Sequence, residues 1–234
     1  KRHDLFIITD EIYSNLSYGV SYKKLAAVIG DVPALAMRGI SKEFPWPGGR
    51  CGWVEFYNRD KDEDFDIYAK SLIDAKMLEV CSTTLPQQVL PLIMSDKRYY
   101  PLLAERSLRY QKRAQYAYDM LSPIPEIIIT KPNGAFYMTL VFKEGALTST
   151  QSLVCDNKEV EGFLDTLLVS DLPLDKRFVY YLLASTGMCV VTLTSGFNSS
   201  YNGFRFTLLE QDDAVFEKNI QTIKESIVAY LVSK

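Results

Sequence analysis

Gly39-Ile40-Ser41-Lys42-Glu43-Phe44-Pro45-Trp46-Pro47-Gly48-Gly49-Arg50-Cys51-Gly52-Trp53 is the stretch around which the rest of the chain is organised. It closes one apolar run, Ala34 to Ser41, and opens another, Gly52 to Tyr57. Short apolar runs bounded by turn residues read as strands. Lys42 therefore stands at the end of one strand, and Arg50 lies eight residues later in the loop before the next. Pro45 and Pro47 stiffen one end of that loop, and Gly48 and Gly49 leave the other end permissive. It contains neither a Gly-x-Gly-x-x-Gly nor a Walker pattern, so it is not a nucleotide loop.

Working outward, Leu5 to Thr9 is another apolar run and ends in Asp10, with Tyr13 three residues on. Such a run fits a strand buried on both faces of a parallel sheet. Asp10 would then lie at the carboxyl end, where open α/β sheets bind ligands. A turn or helix cap is the alternative role for Asp10. Residues 14–33 are irregular. Lys61 to Glu79 becomes helical, with Phe65, Tyr68, Leu72 and Ala75 on one face. Pro86 suits the opening of a second helix. Asp96 to Leu121 reads as one long helix with Leu103, Tyr110, Ala114, Ala117 and Leu121 as its apolar stripe. Arg106, Arg109, Lys112 and Arg113 on that helix read as a solvated basic face rather than an anion site.

After Pro123 the composition turns to strand. Glu126–Thr130 and Ala135–Phe142 flank the turn Lys131-Pro132-Asn133-Gly134, which predicts a hairpin. Helices are expected over 158–169 and 175–185, the second closed by Gly187. Strands are expected over 188–193 and 203–209, with a Ser/Asn/Gly loop between them. A final helix starts at Asp212-Asp213 and carries Phe216, Ile220, Ile223, Ile227 and Leu231 on one face. The sequence thus predicts parallel-sheet material to about residue 60, a helical link, and then an α+β unit.

The 234 residues are 47% hydrophobic, enough for a sizeable core, and carry a net charge of −3, so no basic field points to nucleic acid. No apolar run approaches the roughly 18 residues of a membrane span. The chain opens with Lys1 and enters a strand almost at once, without the apolar region and cleavage site of a signal peptide. It reads as the middle of a longer protein. Cys51, Cys81, Cys155 and Cys189 form no Cys-x-x-Cys pair and His3 is the only histidine, which argues against a zinc site or a Cys-His dyad. Free, mostly buried thiols in a reducing cytoplasm are expected.

Three pieces stand in order: a strand with Asp10-x-x-Tyr13, a strand with Ser41-Lys42 followed by Arg50, and a strand with Arg205. Together they resemble the fold-type I pyridoxal-phosphate enzymes of the aspartate-aminotransferase superfamily, the class I and II aminotransferases. The likeness covers essentially the whole chain and matches the second half of such enzymes. Pro132-Asn133-Gly134-Ala135-Phe136-Tyr137 is similar to the family's Pro-x-Gly-x-Phe-Tyr segment. The resemblance implies an α/β fold. Residues 1–75 would form the carboxyl-terminal part of a mainly parallel large-domain sheet, 76–121 connecting helices, and 122–234 an α+β small domain.

It also implies a site. Pyridoxal 5'-phosphate would be held as a Schiff base on Lys42, which then acts as general base and acid. Asp10 would keep the pyridine nitrogen protonated. Tyr13 would donate to the phenolic oxygen. Arg50 would bind the phosphate, and Arg205 the substrate α-carboxylate. Substrates would be an amino acid and a 2-oxo acid. A cytoplasmic homodimer is implied, with no nucleic-acid or membrane partner, and Ser82-Thr83-Thr84 would approach the partner subunit. Phe204 and Phe206 alternate away from Arg205.

Two departures stand out. Gly39 occupies a position where the family often has a Ser or Thr hydroxyl for the phosphate, and Trp46-Pro47 gives the Lys-to-Arg loop an unusual composition. The family's Gly-containing phosphate loop, ring-stacking aromatic and asparagine belong to its first half, so a fragment with weak cofactor binding is expected. The same residues also suit a carbon–sulfur β-lyase or a non-catalytic ligand-sensing domain of a transcription regulator. Taken singly, Lys42 fits a surface loop, Arg50 a loop salt bridge, and Arg205 an ion pair at a strand edge.

Overall fold

The computed structural model describes His3, residues 5–168 and residues 171–233. The chain divides into two compact units, residues 1–108 with 133–135, and residues 109–132 with 136–234.

The first unit is built on β1 (Ile7–Asp10), β2 (Ala34–Gly39) and β3 (Gly52–Tyr57). β2 is central; it runs parallel to β1, with Asp10 opposite Met37, and antiparallel to β3, with Gly39 opposite Gly52. α1 (Glu63–Met77), α2 (Thr84–Ser95) and the beginning of α3 (Tyr99–Leu121) follow. Ala34, Leu35, Ala36 and Ile40 bury their side chains, as do Leu16 and, on α1, Phe65 and Ala69. The Asp62 side chain accepts from Phe65 N at 2.7 Å and so starts α1. On α1 the expected face narrows to Phe65 and Ala69, because Tyr68 and Ala75 are exposed. The break before α3 falls at Asp96, whose side chain accepts from Arg98 N at 2.8 Å.

The first strand departs from expectation. Leu5, Phe6, Ile7 and Ile8 are exposed, Ile8 by 52%, so β1 is not buried on both faces. Among the described residues β1 is an edge strand that pairs with β2 alone. Phe6 finds partial cover from Phe65 and Tyr68, with ring centroids 5.2 and 5.5 Å away.

The second unit holds β4 (Ile127–Ile129), β5 (Tyr137–Phe142), α4 (Lys158–Leu167), α5 (Leu174–Thr186), β6 (Val191–Thr192), α6 (Leu193–Phe197), β7 (Gly203–Thr207) and α7 (Asp213–Val232). Its sheet has the order β4-β5-β7-β6 and every junction is antiparallel. Strand alternation sends Met138, Leu140, Phe142, Phe204 and Phe206 into the core, where α5 supplies Phe178 and Leu182 and α7 supplies Ile220, Ile223, Ile227 and Tyr230. Phe178 stacks on Phe204 with centroids 5.6 Å apart. Gly187 ends α5 with φ 76°, as its place in the sequence predicts. The last residue of the expected 158–169 helix, Val169, lies outside the described residues.

Three expectations are corrected. The 188–193 strand shrinks to Val191–Thr192, because buried Leu193 starts α6 and the chain folds back on β6. Gly196 permits that fold-back, since a Cβ there would lie 2.7 Å from Val191 Cγ1. The basic face of α3 is not simply solvated. Arg113 is buried, pairs with Asp213 at 2.5 Å and donates to Leu208 O at 2.8 Å, while Arg106 reaches backbone carbonyls in the first unit. The four cysteines are free thiols, but Cys81 and Cys189 are exposed and Cys51 and Cys155 only half-buried. Among the described residues no helix is long and apolar enough to cross a membrane.

At Gly203 a Cβ would sit 2.2 Å from Leu140 O and 2.8 Å from Leu193 Cδ1. Gly203→Ala should therefore destabilise the protein by about 1–3 kcal/mol or more, read as a lower denaturant midpoint with an unchanged m-value.

Candidate functional site

The ends of β1 and β2 and the loop before β3 carry four of the five predicted site residues, all in the first unit. Asp10 ends β1, exposed, with Oδ1 accepting from Ile12 N at 3.0 Å. Its carboxylate thus serves as a turn cap in this structure, and the backbone continues through a Glu11 N–H donated to Met37 O at 2.9 Å. Tyr13 follows in the turn, half-buried. Lys42 is half-buried three residues beyond the end of β2.

Glu43, beside Lys42, is the residue that sequence reasoning passed over. It is buried, and its Oε1 accepts from Ser14 Oγ at 3.1 Å and Asn15 N at 2.7 Å. Its Oε2 accepts from Asn15 Nδ2 at 2.8 Å and Tyr99 OH at 3.4 Å. Arg106 donates to the Glu43 carbonyl and, at 3.3 Å, to the Lys42 carbonyl. The lysine's backbone is thereby clamped to the turn that carries Tyr13. Burial and the nearby Glu43 charge push the Tyr99 phenol well above its ordinary range.

A second, half-buried network joins the turn after β1 to β2 and β3. Arg38 Nη2 meets Glu11 Oε2 at 2.6 Å and its Nε meets Glu55 Oε1 at 3.0 Å. Glu11 also accepts from Leu25 N at 2.6 Å and Tyr22 OH at 3.2 Å. Trp53 Nε1 and Tyr57 OH both donate to Glu55. The readable signal was a lone arginine inside the apolar run Ala34–Ile40, since a charge buried in a strand needs a partner.

The loop between β2 and β3 is closed by Ile40 N to Cys51 O at 3.1 Å and Trp46 N to Ile40 O at 3.2 Å. A Cβ on Gly49 would meet Ile40 Cδ1 and Trp46 Cδ2, each at 2.9 Å, so Trp46 packs where only glycine fits. Gly39, the first departure noted above, has a matching explanation. A Cβ there would press on Cys51 O at 3.2 Å where β2 meets β3. Arg50 is exposed in the left-handed region at φ 46°, with Nη1 donating to Pro47 O at 2.8 Å. It edges a cleft of about 720 Å³ shared with Trp53, Glu55, Lys76, Glu79 and Gln87. Thr83 sits at the N-cap of α2 but spends its hydroxyl on Arg50 O at 3.3 Å.

Arg205 belongs to the second unit, on β7. β7 is interior to its sheet, and no carboxylate among the described residues forms an ion pair with Arg205, so the strand-edge pair is not seen. The aromatic rings of Tyr137 and Phe197 flank it instead, 4.2 and 4.3 Å from Cζ. Phe204 and Phe206 point into the core, as their alternation predicts.

Two measurements check these networks. Glu43→Ala strands the Asn15 donors in a buried place and should cost roughly 1–3 kcal/mol in unfolding free energy, with Glu43→Gln costing less. Burial pushes the Glu55 carboxyl up, but the Tyr57 and Trp53 donors and the Arg38 charge outweigh it and hold it below the usual range. A depressed carboxyl adds stability above its unfolded value of about 4.3, and that stability is lost as pH falls through the folded value. Wild type should therefore lose stability on acidification below about pH 4 more steeply than Glu55→Gln, followed by chemical denaturation at stepped pH.

Comparison with known proteins bears on the whole chain. Residues 1–217 match the family Aminotransferase class I and II. An uncharacterized aminotransferase of Methanocaldococcus jannaschii is 50% identical over 230 residues, 98% of this chain and 53% of that protein. A tyrosine aminotransferase of Caenorhabditis elegans is 31% identical over 160 residues, 67% of this chain and 33% of its own length. In fold, the alanine aminotransferase of Pyrococcus furiosus superposes with a TM-score of 0.75 at 22% identity, covering 97% of this chain and 50% of that one. The chain thus spans about half the length of the first relative and of this structure. A family match that runs through both units, and a relative identical at every second position across nearly all of the chain, place it in the class I and II aminotransferase family.

Proposed function

We propose that this chain is the carboxyl-terminal part of a pyridoxal-phosphate-dependent aminotransferase that moves an amino group between an amino acid and a 2-oxo acid. In that enzyme residues 1–75 belong to the large domain, 76–121 to connecting helices, and 122–234 to the small domain. The observation that supports the proposal is the clasp of Glu43 on Ser14 and Asn15, which ties the residue after Lys42 to the two residues after Tyr13.

The donor set fits the cofactor. One carboxylate and one phenol lie at and just after the end of β1, and one amine and one guanidinium in the segment between β2 and β3. Gly39 and Gly49 keep that loop close to the sheet, so the phosphate would rely on Arg50 rather than on a hydroxyl at position 39. When bound, pyridoxal phosphate supplies the electron sink for the pair left at the substrate Cα.

Lys42 would hold the cofactor, and its amine would take the proton from the substrate Cα and return it. Asp10 holds a proton on the ring nitrogen. Its Oδ1 accepts from Ile12 N, and its Oδ2 would be the oxygen offered to that nitrogen. Tyr13 donates to the phenolic oxygen. Arg50 offers its fork to the phosphate, and Arg205 grips the substrate carboxylate.

We further propose a homodimer. It is supported by the exposure of Met77, Leu78 and Val80 between α1 and α2, next to Ser82-Thr83-Thr84. Four unpaired thiols suit a cytoplasmic setting.

The test uses the full-length protein. Pyridoxal phosphate followed by borohydride should mark the peptide containing Lys42, and Lys42→Ala should abolish both the mark and amino transfer to a 2-oxo acid. A mark on another lysine would overturn the assignment. Release of ammonia and a 2-oxo acid from cystathionine, without transfer, would replace the aminotransferase with a β-lyase.

A further inference from the structure

We propose that Tyr137 and Phe197 are positioning residues that clamp the Arg205 guanidinium between aromatic rings and present its in-plane N–H fork to a planar carboxylate. The proposal rests on the assignment of Arg205 to the substrate carboxylate.

The clamp is built by the strand register. Thr139 lies opposite Arg205, and Tyr137 opposite Thr207, so Tyr137 and Arg205 share the face of the sheet turned away from the Phe204 and Phe206 core. Val191 of β6 lies opposite Arg205 on the other side. The chain then turns at once into α6, which brings Phe197 to Arg205. Three constraints hold α6 there. Leu193 is buried in the core. Gly196 allows close approach to Val191. Asp175, fully buried, accepts from Thr194 Oγ1 at 2.5 Å, Thr194 N at 3.0 Å and Gly203 N at 3.2 Å, fixing the start of α6 and the start of β7 to one carboxylate.

The chemistry follows from the guanidinium. It is planar and weakly hydrated, its donors all lie in its plane, and its faces stack favourably on rings. Ring contact removes water from those faces and restricts the rotamers of a long side chain, while the donors stay open at the edge. Arg38 and Arg113 are held by carboxylates that neutralise them. Arg205 is held by rings, which fix it without satisfying its charge. That is the state needed to bind an anionic ligand edge-on.

Phe197 is 44% exposed and lies at the end of a short helix, so substitution there leaves the core intact. The test compares Phe197→Leu, which keeps bulk and loses the ring, with Phe197→Tyr, which restores a ring. In the full-length holoenzyme, Phe197→Leu should weaken binding of maleate, a non-reacting dicarboxylate, by about two- to fivefold, as loss of one cation–π contact at a half-exposed ring predicts. Phe197→Tyr should bind as wild type. Without added cofactor, phenylglyoxal should modify Arg205 several-fold faster in Phe197→Leu, read by peptide mass spectrometry. Wild-type maleate affinity together with a wild-type modification rate in Phe197→Leu would overturn the clamp. Arg205→Lys separates the two claims. Wild-type maleate affinity there would overturn the carboxylate assignment itself, and the clamp would then be judged on the phenylglyoxal rate alone.

Discussion

The buried carboxylate of Glu43 is the constraint on which the connections after β1 and β2 depend. A carboxylate taken out of water is costly unless donors replace the water it loses. Here the donors come from two separate segments, the turn after β1 and the start of α3. Because the cost is met only when both are in place, the Lys42 segment cannot shift without stranding a charge. The backbone of Lys42 is thus held in part through its neighbour. Arg106 reinforces this by taking the two successive carbonyls of Lys42 and Glu43, which a loop would otherwise leave to solvent.

The first unit otherwise uses its charges as internal bolts. Glu11, Arg38 and Glu55 link the turn after β1, β2 and β3 across one sheet face. The bridging guanidinium suits the job, since its separate nitrogens serve two carboxylates at once. In the second unit Arg113 does similar work, joining α3 to the β7–α7 connection through Asp213 and three carbonyls, with the Phe216 ring centroid 4.9 Å from its Cζ.

Most of the elements were legible in the sequence because their signals were local. Apolar runs at 34–39, 52–57 and 203–207, the stripe of α3, and Gly187 after α5 each declare themselves within a few residues. What was not legible depends on partners far away in the chain. The exposure of β1 follows from its edge position, which an apolar run cannot announce. The run 188–193 has strand propensity, yet Leu193 gains more by entering the core as the first residue of α6. Arg106 and Arg113 resemble their exposed neighbours in composition, and only their tertiary acceptors distinguish them. Among the proposed site residues, Asp10, Tyr13, Lys42 and Arg50 were legible as residues at or after strand ends, whereas Glu43 and the rings around Arg205 were not. Their roles exist only once distant strands are in register.

The loop between β4 and β5 has a consequence for how the chain assembles. Residues 133–135 belong to the first unit although the residues on either side belong to the second. Gly134 bridges to Ser17, Tyr18 N donates to Asn133 O at 2.8 Å, and Ala135 N donates to Leu16 O at 2.9 Å. Gly134 suits the contact because a Cβ would meet Leu16 O at 3.3 Å. A chain emerging from the ribosome therefore cannot complete the first unit when residue 108 appears. It must wait for residues 109–132 to be made before Leu16 and Tyr18 find their backbone partners, so the order of synthesis and the order of folding diverge at this point.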